Sequence, residues 1–305
     1  MSFLKTILIT GASGLIGKRL TEILLSRGYE VHHLSRTKKN SVVPSFAWNI
    51  EKKELDISSF ENADAIIHLA GTNLYEKRWN DVVKKNIYNS RVEGTKLLMR
   101  ALSYTPNKVK SIVSASGIGY YGNRKDDLLN EDASPGKTFL AQVCADWENE
   151  ARKAEELKIR AVQLRAGIVL SKNDGALKEL SLPLKYFVKP IFLPGTQHWS
   201  WIHLDDVCEL FIHSIENENM HGAFNATSPH AVTYSAFIRT LAQVLKKKSI
   251  PSPLPGWLLR IISGEFAATL FHDCNCSSEK ILATGFQFKY SNLKSAIEDC
   301  FTNNE

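Results

Sequence analysis

The sequence lacks several features that would place it in other protein classes. No apolar run reaches the roughly 18 residues of a membrane span, so we expect no membrane partner. The apolar run near the N-terminus begins at Thr6, which leaves no room for a signal peptide. Basic residues are not clustered with aromatic ones, so we expect no nucleic-acid partner, and the net charge of +6 is spread along the chain.

Cysteine is also scarce. The five cysteines are an odd number without the spacing of a disulfide framework, which indicates a reducing, cytoplasmic setting. Cys274 and Cys276 form a CxC pair beside His272 and Asp273, but no second pair of metal-ligating residues follows at a matching distance. We therefore expect the pair to be structural and expect no metal site.

The most informative motif lies near the N-terminus. The apolar run Thr6–Thr10 leads into three glycines, and the amphipathic segment Leu15–Arg27 follows. This pattern predicts a strand, a tight turn and a helix whose N-terminus binds a pyrophosphate. Gly11 would permit the turn, Gly14 would leave room for the phosphates, and Gly17 would let the helix pack on the strand. The predicted dinucleotide contacts here are Gly11, Ser13, Gly14, Leu15, Ile16 and Gly17.

The end of the second predicted strand, Glu30–Leu34, indicates which dinucleotide binds. Arg36 lies 19 residues after Gly17. An acidic residue about 20 residues after the glycines would bind the ribose 2′-hydroxyl of NAD, but Ser35, Arg36 and the next three residues include no carboxylate. A guanidinium suits a 2′-phosphate. We therefore predict NADP(H) as the cofactor, bound by Ser35 and Arg36; the alternative is an ordinary solvated basic turn.

Strand and helix patterns alternate over the first half of the chain. The other predicted strands are Phe46–Ile50, Ala65–Leu69, Ser111–Ser116 and Arg160–Leu170. The other predicted helices are Trp79–Ser103 and Leu140–Leu157, then the shorter segments Asp206–Glu216, Tyr234–Lys247, Gly256–Leu270 and Leu293–Phe301. Apolar strands separated by helices imply a parallel sheet covered on both faces. We predict an α/β fold: a Rossmann doubly wound parallel sheet, mainly residues 1–172, with a small C-terminal α/β substrate lobe, residues 173–305, partly interleaved with it.

These motifs resemble the extended short-chain dehydrogenases/reductases. Thr10–Gly17 looks like their TGxxGxxG, His68–Gly71 like their HxAG, Trp201–Val207 like their hVdDv, and Leu282–Phe286 like their LGw. Further segments resemble an atypical branch known as epimerase family proteins: Asn73–Trp79, Ser90-Arg91, Ser114–Gly122, Phe139–Glu148 and Arg165–Leu170. The resemblance implies NADP(H) contacts by Ser35, Arg36, Leu69, Ala70, Gly71, Asn86, Arg91, Ser114, Gly167 and Ile168. Relatives often pair through their long helices, so a homodimer is expected.

The proton-transfer dyad of that superfamily is missing. A Tyr is expected four residues before a Lys, and this chain has Phe139 and Val143 there. Ser116, and less closely Ser114, falls where the family has its active-site hydroxyl. Tyr121 (with Tyr120), His198 and His203 are conceivable replacements for the dyad. We predict Ser116 and Tyr121 as catalytic residues and expect substrate contacts from Arg165, His198 and Trp199. The alternatives are packing for Tyr121, a core hydrogen bond for His203, and a salt bridge for Arg165.

Two functions remain open at this point. The chain could be an NADP(H)-dependent oxidoreductase or epimerase whose small or sugar-nucleotide-like substrate binds between the lobes, with the cofactor carrying the hydride. Alternatively, it could hold NADP(H) without turnover, as a sensor or interaction protein. The missing dyad favours the second interpretation, and the retained serine and the complete substrate lobe favour the first.

Overall fold

The computed structural model describes residues 5–36, 43–74, 78–125, 127–254, 265, 269 and 272–302. Its strands are β1 Thr6–Thr10, β2 Glu30–Ser35, β3 Ser45–Asn49, β4 Glu54–Leu55, β5 Ala65–His68, β6 Ser111–Gly117, β7 Leu128–Leu129, β8 Arg160–Ala166, β9 Ile168–Leu170, β10 Val188–Phe192, β11 His198–Trp199, β12 Trp201–His203, β13 Gly222–Ala226, β14 Val232–Thr233, β15 Ile250–Leu254 and β16 Asn275–Cys276. Its helices are α1 Leu15–Ser26, α2 Asp81–Tyr88, α3 Gly94–Tyr104, α4 Phe139–Arg152, α5 Gly175–Lys185, α6 Leu204–Glu216, α7 Tyr234–Val244, α8 Glu279–Leu282 and α9 Leu293–Thr302.

An eight-stranded sheet forms the centre of the fold, in the order β13-β8-β6-β5-β1-β2-β3-β4. Its strands run parallel except for the antiparallel pair β3–β4. The chain moves from β1 outward to β2 on one side, and β5 lies on the other side of β1. Strand order therefore reverses between β1 and β5, and in such sheets ligands bind at the carboxyl ends of the strands at this reversal. The predicted Rossmann fold class is confirmed.

Helices cover both faces of this sheet, so its strands are apolar on both sides. The fully buried residues of β1 alternate: Ile7 and Ile9 belong to the core that includes residues of α1 and α6, and Leu8 belongs to the core that includes residues of α3. Two elements that follow residue 172, β13 and α6, join the central sheet and its cover. The domain boundary at residue 172 stays a prediction.

Several predicted elements differ in extent from the structure. The predicted strand Arg160–Leu170 is two strands, because the chain leaves the central sheet at Gly167 and β9 pairs with β12 instead. The predicted helix Trp79–Ser103 begins only at Asp81, where the Asn80 side chain accepts the N–H of Val83, and a π-helical segment, Asn89–Glu93, separates α2 from α3. The helix predicted over Gly256–Leu270 lies outside the described residues, except for two single positions.

A second, smaller core holds the C-terminal lobe together. It joins residues of α5, α7 and α9 around the aromatic side chains of Phe192, Trp199, Trp201 and Tyr234. Within the described part of the chain, no helix is long and apolar enough to cross a membrane.

Candidate dinucleotide site and the sheet edge beside it

The glycine loop after β1 has the geometry that its sequence predicts. Gly11 has φ +72°, and a Cβ there would lie 2.7 Å from the carbonyl carbon of Leu69. A Cβ on Gly17 would lie 2.6 Å from Ala12 Cα, so this glycine permits the close approach of α1 to the loop. A Cβ on Gly14 would meet only the Gly11 carbonyl oxygen, at 3.4 Å. Gly14 therefore borders free space directly above the N-terminus of α1.

The first turn of α1 can bind an anion. Gly14 is its N-cap residue, and no side chain caps the helix. The N–H groups of a first turn have no partner within their own helix, and the helix dipole favours negative charge there. Ser13, Leu15 and Ile16 are exposed or half-buried beside this turn. These residues fit the pyrophosphate of a dinucleotide, so their predicted role agrees with the geometry; binding itself stays a prediction.

A buried hydrogen-bond chain fixes the segment after β5 to the glycine loop. The N–H groups of Leu69 and Ala70 donate to Thr10 Oγ1 at 3.2 and 3.1 Å. Thr10 Oγ1 lies 2.7 Å from His68 Nδ1, and His68 Nε2 lies 2.9 Å from Thr95 Oγ1. The Thr95 hydroxyl already donates to the Arg91 carbonyl, so it accepts from His68 Nε2–H, and Nδ1 accepts from Thr10. His68 is thus neutral, and burial lowers its pKa to about 4.

Arg91 lies in the π-helical segment and packs on the same loop. Its guanidinium donates to the carbonyls of Ile87 (3.3 Å) and Thr72 (3.1 Å) and lies 5.4 Å from the ring centre of Trp147. A Cβ on Gly71 would lie 2.9 Å from the Arg91 guanidinium carbon, so Gly71 makes this contact possible. π-Helical insertions are frequent at functional sites. The predicted contacts Leu69, Ala70, Gly71 and Arg91 therefore lie together at the strand-order reversal.

The residues predicted to select NADP(H) lie at the end of β2. Arg36 is exposed, and Ser35 Oγ lies 3.1 Å from Ser45 Oγ. Because β1 and β2 are adjacent and parallel, both residues lie at the same sheet edge as the glycine loop. Asn86 is exposed in the last turn of α2, and its carbonyl is 3.5 Å from the Thr72 hydroxyl. Residues 37–39 of the basic segment lie outside the described residues.

The two predicted backbone contacts after β8 are limited by the fold. Gly167 N–H donates to the Ala226 carbonyl at 3.0 Å, and Ile168 N–H donates to the Ser200 carbonyl at 2.9 Å. Both N–H groups are therefore used within the protein, and only other atoms of these residues could contact a cofactor. Ser114 is buried, and its hydroxyl donates to the carbonyl of Ala115 at 3.0 Å.

The positions of the missing dyad lie in an apolar cluster. Val143 is 1% exposed and belongs to the same buried cluster as Trp79 and Ile87. The Phe139 ring meets the Trp79 ring edge-on, with centroids 5.6 Å apart. Lys84 Nζ lies 5.7 Å from the Phe139 ring centre and forms an ion pair with Glu265. The aromatic rings of Phe139 and Trp79, with the Lys84 ammonium group beside them, thus lie where a Tyr and a Lys were expected.

Ser116, predicted as catalytic, belongs to a buried polar network. Its hydroxyl donates to Glu148 Oε1 at 2.6 Å. Arg165 makes a two-pronged ion pair with the same carboxylate, from Nε at 2.9 Å and from Nη2 at 2.8 Å. The side chains of Arg165 and Glu148 are 3% and 2% exposed. Burial alone would lower the pKa of Arg165, but the hydrogen bonds and charge of Glu148 raise it above its usual range.

The placement of Arg165 and Tyr121 corrects their predicted roles. Arg165 Nη1 donates to the Tyr121 hydroxyl at 2.9 Å, and that hydroxyl donates to Asn225 Oδ1 at 2.6 Å. Tyr121 is completely buried, and burial raises its pKa above the usual range. Arg165 therefore forms the internal salt bridge considered as its alternative role, and not an open anion site. Tyr121 has the packing environment considered as its alternative role, because its hydroxyl is enclosed by Arg165 and Asn225.

The residues predicted from the C-terminal lobe have different environments. Trp199 is 4% exposed and packs in the core of the lobe, so its predicted contact with substrate is not supported. His203 accepts the Asp205 N–H at the start of α6 and lies 3.4 Å from Asp299, and burial lowers its pKa. His198 is 28% exposed, and its Nδ1 lies 3.0 Å from Asp273 Oδ1.

The CxC pair lies beside this edge. Cys274 and Cys276 are buried with Tyr121 and Leu129, and the Cys274 thiol donates to the Gly122 carbonyl at 2.9 Å. Burial raises the pKa of Cys276 to about 12, so this thiol stays protonated at neutral pH. Among the described residues, no three His, Cys, Asp or Glu side chains form a group that could hold a metal ion.

The open glycine loop, the uncapped helix and the reversal of strand order define a protein with the Rossmann class of dinucleotide-binding fold. The chain belongs to the NAD dependent epimerase/dehydratase family, whose family model matches residues 7–226. Residues 254–300 match a second model, described as a domain of unknown function, DUF1731.

Individual relatives agree with this assignment along almost the whole chain. Epimerase family protein SH2119 of Staphylococcus haemolyticus is 33% identical over 97% of this chain and 99% of its own. Epimerase family protein Mb2239 of Mycobacterium bovis is 32% identical over 95% of both chains. The crystal structure of human epimerase family protein SDR39U1 with NADPH has a TM-score of 0.88 and 28% identity, covering 98% of this chain and 100% of its own. The resemblance to epimerase family proteins is therefore confirmed.

Three residues of this region were missed in the sequence: Glu148, Asn225 and Asp273. Each is a common polar residue whose importance comes from a partner far away in the chain. Glu148 lies in α4 and meets Arg165 of β8, and Asp273 meets His198. A carboxylate in the otherwise buried face of α4 is the one local signal that could have indicated Glu148, because buried carboxylates need a partner.

Proposed function

We propose that this protein binds NADP(H) and uses it in an oxidoreductase or epimerase reaction that does not depend on a Tyr–Lys dyad. The observation that carries the proposal is the pairing of two features at one sheet edge. The N-terminus of α1 is open and uncapped at Gly14, and the end of β2 offers Ser35 and Arg36 where an NAD site has a carboxylate. The human relative solved with NADPH supports the same choice of cofactor. When bound, the nicotinamide would donate or accept a hydride.

His198 is our candidate to carry the proton that accompanies the hydride. Asp273 Oδ1 accepts from both the backbone N–H (2.9 Å) and Nδ1 of His198, which fixes the ring and leaves Nε2 without a hydrogen-bond partner among the described residues, so that it could exchange a proton. The pair lies near the start of α4. Asp273 N–H donates to Asn123 Oδ1 at 3.1 Å, and a Cβ on the neighbouring Gly122 would lie 3.5 Å from Cγ2 of Thr138, the N-cap of α4. We therefore propose that His198 faces the same cleft as Phe139.

The apolar wall indicates the substrate class. The half-buried Phe139 ring, backed by the buried Trp79 ring, offers apolar surface where a standard site offers a phenol and an ammonium group. Desolvated aromatic surface favours an apolar part of a ligand. We therefore propose a small carbonyl or hydroxyl compound with an apolar part. Sugar nucleotides are retained as test substrates because two proteins of similar fold, each 19% identical to this chain, have been solved with UDP-sugars.

Cofactor choice can be measured directly. Titration by NADPH fluorescence should give tighter binding than NADH, and Arg36→Ala should weaken NADPH by roughly 10- to 150-fold, because charge-assisted hydrogen bonds contribute about 1.5–3 kcal/mol. NADH affinity should be unchanged. Arg100→Ala, which removes an exposed arginine on α3, is the matched control. Equal affinity for NADPH and NADH in the wild type would refute the choice of NADP(H).

A second candidate function is NADP(H) binding without turnover, as a sensor or interaction protein. It is favoured by the internal use of the Ser116 and Tyr121 hydroxyls, which leaves neither available as a proton donor. Oxidation of NADPH with a panel of aldehydes, ketones and sugar nucleotides separates the two functions. Turnover that is lost in His198→Asn while NADPH affinity is retained supports the enzyme. Tight NADPH binding without turnover on any substrate favours the binding protein.

A further inference from the structure

An exposed apolar surface lies on the C-terminal lobe, away from the residues discussed so far. Tyr186 is 73% exposed, Phe187 61%, Ile250 76% and Leu182 52%. Val188, 39% exposed, pairs directly with Ile250 in the ladder between β10 and β15. Ile250 N–H donates to the Phe187 carbonyl at 2.9 Å, and Leu182 lies one helical turn before Tyr186. These five residues form one continuous patch, which we call the Tyr186 surface.

The backbone holds these side chains outward in a defined turn. Tyr186 N–H donates to the Pro183 carbonyl at 3.0 Å, and Phe187 N–H donates to the Leu184 carbonyl at 3.2 Å. Phe187 has φ +63°, a left-handed conformation that is uncommon for a bulky residue. The turn therefore presents two neighbouring aromatic rings to solvent. The core of the lobe is filled by other aromatic residues.

Lysines surround the Tyr186 surface. Residues 178–189 and 246–250 contain six lysines and one acidic residue, Glu179. Five of these lysines are exposed: Lys178, Lys185, Lys246, Lys247 and Lys248. None of the ion pairs formed by described residues involves any of the six. The charge around the patch is thus strongly positive and unneutralised.

We propose that the Tyr186 surface docks the protein on an anionic lipid membrane. Aromatic and apolar side chains inserted at headgroup level, with lysines reaching the lipid charges, form the composition of interfacial membrane sites. Lysine is depleted in interfaces between proteins, which argues against a protein partner. A protein docked in this way lies on the surface of a bilayer and needs no spanning helix. The proposal therefore revises only the expectation that the protein has no membrane partner.

Vesicle co-sedimentation of the full-length protein tests this proposal. Vesicles of phosphatidylcholine with 30% phosphatidylglycerol should bind the protein, pure phosphatidylcholine much less, and binding should fall as salt rises. Lys247→Gln with Lys248→Gln should weaken binding on the order of 30-fold, since each juxtamembrane lysine contributes about 1 kcal/mol. Tyr186→Ser with Ile250→Ser should abolish it.

The control is a lysine pair elsewhere. Lys52 and Lys53 are also adjacent and exposed, beside β4, so Lys52→Gln with Lys53→Gln makes the same change in net charge and should leave binding nearly unchanged. Equal loss in both lysine pairs would show unspecific attraction and overturn the proposal. Failure of the wild type to bind vesicles would also overturn it. So would self-association of the wild type, measured by light scattering, if Tyr186→Ser with Ile250→Ser removes it, because a second copy would then cover the surface.

Discussion

The buried pair of Glu148 and Arg165 gives the sharpest test of the structure. Glu148 Oε1 accepts from Ser116 Oγ and Arg165 Nε, and Oε2 accepts from Arg165 Nη2. Glu148→Gln preserves shape but replaces one acceptor oxygen by an NH₂ group, which must then face a donor. It also leaves the Arg165 guanidinium buried without a counter-charge. Breaking such a pair costs about 3–5 kcal/mol.

The assay is thermal and urea unfolding followed by circular dichroism. At about 2 °C per kcal/mol for a chain of this size, Glu148→Gln should lower Tm by roughly 6–10 °C. Glu150→Gln, two residues away in α4, removes an ion pair with Lys153 that is half exposed on the lysine side and should change stability by less than about 0.5 kcal/mol. A combined Glu148→Leu and Arg165→Met variant should recover much of the loss, because no lone charge remains. The reasoning is refuted if Glu148→Gln melts like Glu150→Gln.

Three further predictions concern the site. Gly14→Val should keep the fold but abolish NADPH binding, because the valine side chain would enter the free space above α1. Gly17→Ala should instead lower Tm, because its Cβ would meet backbone at 2.6 Å. Circular dichroism and NADPH fluorescence distinguish the two variants, and normal NADPH binding by a folded Gly14→Val variant would contradict the assignment. His68 has a pKa of about 4 in the folded state, below its unfolded value. The stability that this difference gives above pH 6.5 should therefore be lost between about pH 6.5 and 4, by up to roughly 3 kcal/mol. Urea unfolding at a series of pH values should show this fall in the free energy of unfolding in the wild type and a smaller fall in His68→Gln. Phe139→Tyr with Val143→Lys should not create carbonyl reductase activity, because the new ammonium would be buried among apolar side chains and would tend to lose its charge; clear NADPH oxidation by that variant on ordinary aldehydes would instead indicate an intact standard site.

Local sequence was enough to predict the glycine loop, because its chemistry depends on neighbouring residues. Strand β1 has the predicted bounds, and the three glycines have three distinct geometric roles that follow from their spacing. The break at Gly167 was missed, since apolar residues continue on both sides of it and periodicity has no signal there. The late start of α2 was also missed, although Asn80 followed by Asp81 is a typical N-cap sequence.

Roles that depend on distant partners could not be predicted. Ser116 was expected in an open site because it matches the family's active-site hydroxyl, and Arg165 was expected to contact substrate; the two residues are adjacent in the ladder between β6 and β8. What closes them is Glu148, whose position on the inner face of α4 is decided by how that helix packs. The helical pattern predicts α4 itself but not which of its carboxylates faces the sheet.

The closed network has a consequence for where chemistry can occur. Polar side chains at the ends of β6 and β8 bind one another, so they hold the loop after β6 and use the hydroxyls of Ser116 and Tyr121 internally. The glycine loop and the end of β2 stay open, so one side of the edge can still take a dinucleotide. We propose that the proton carrier is instead His198 of the C-terminal lobe, which Asp273 orients through two hydrogen bonds. On this proposal the site spans the two lobes, with the cofactor on the sheet and the proton carrier on the lobe.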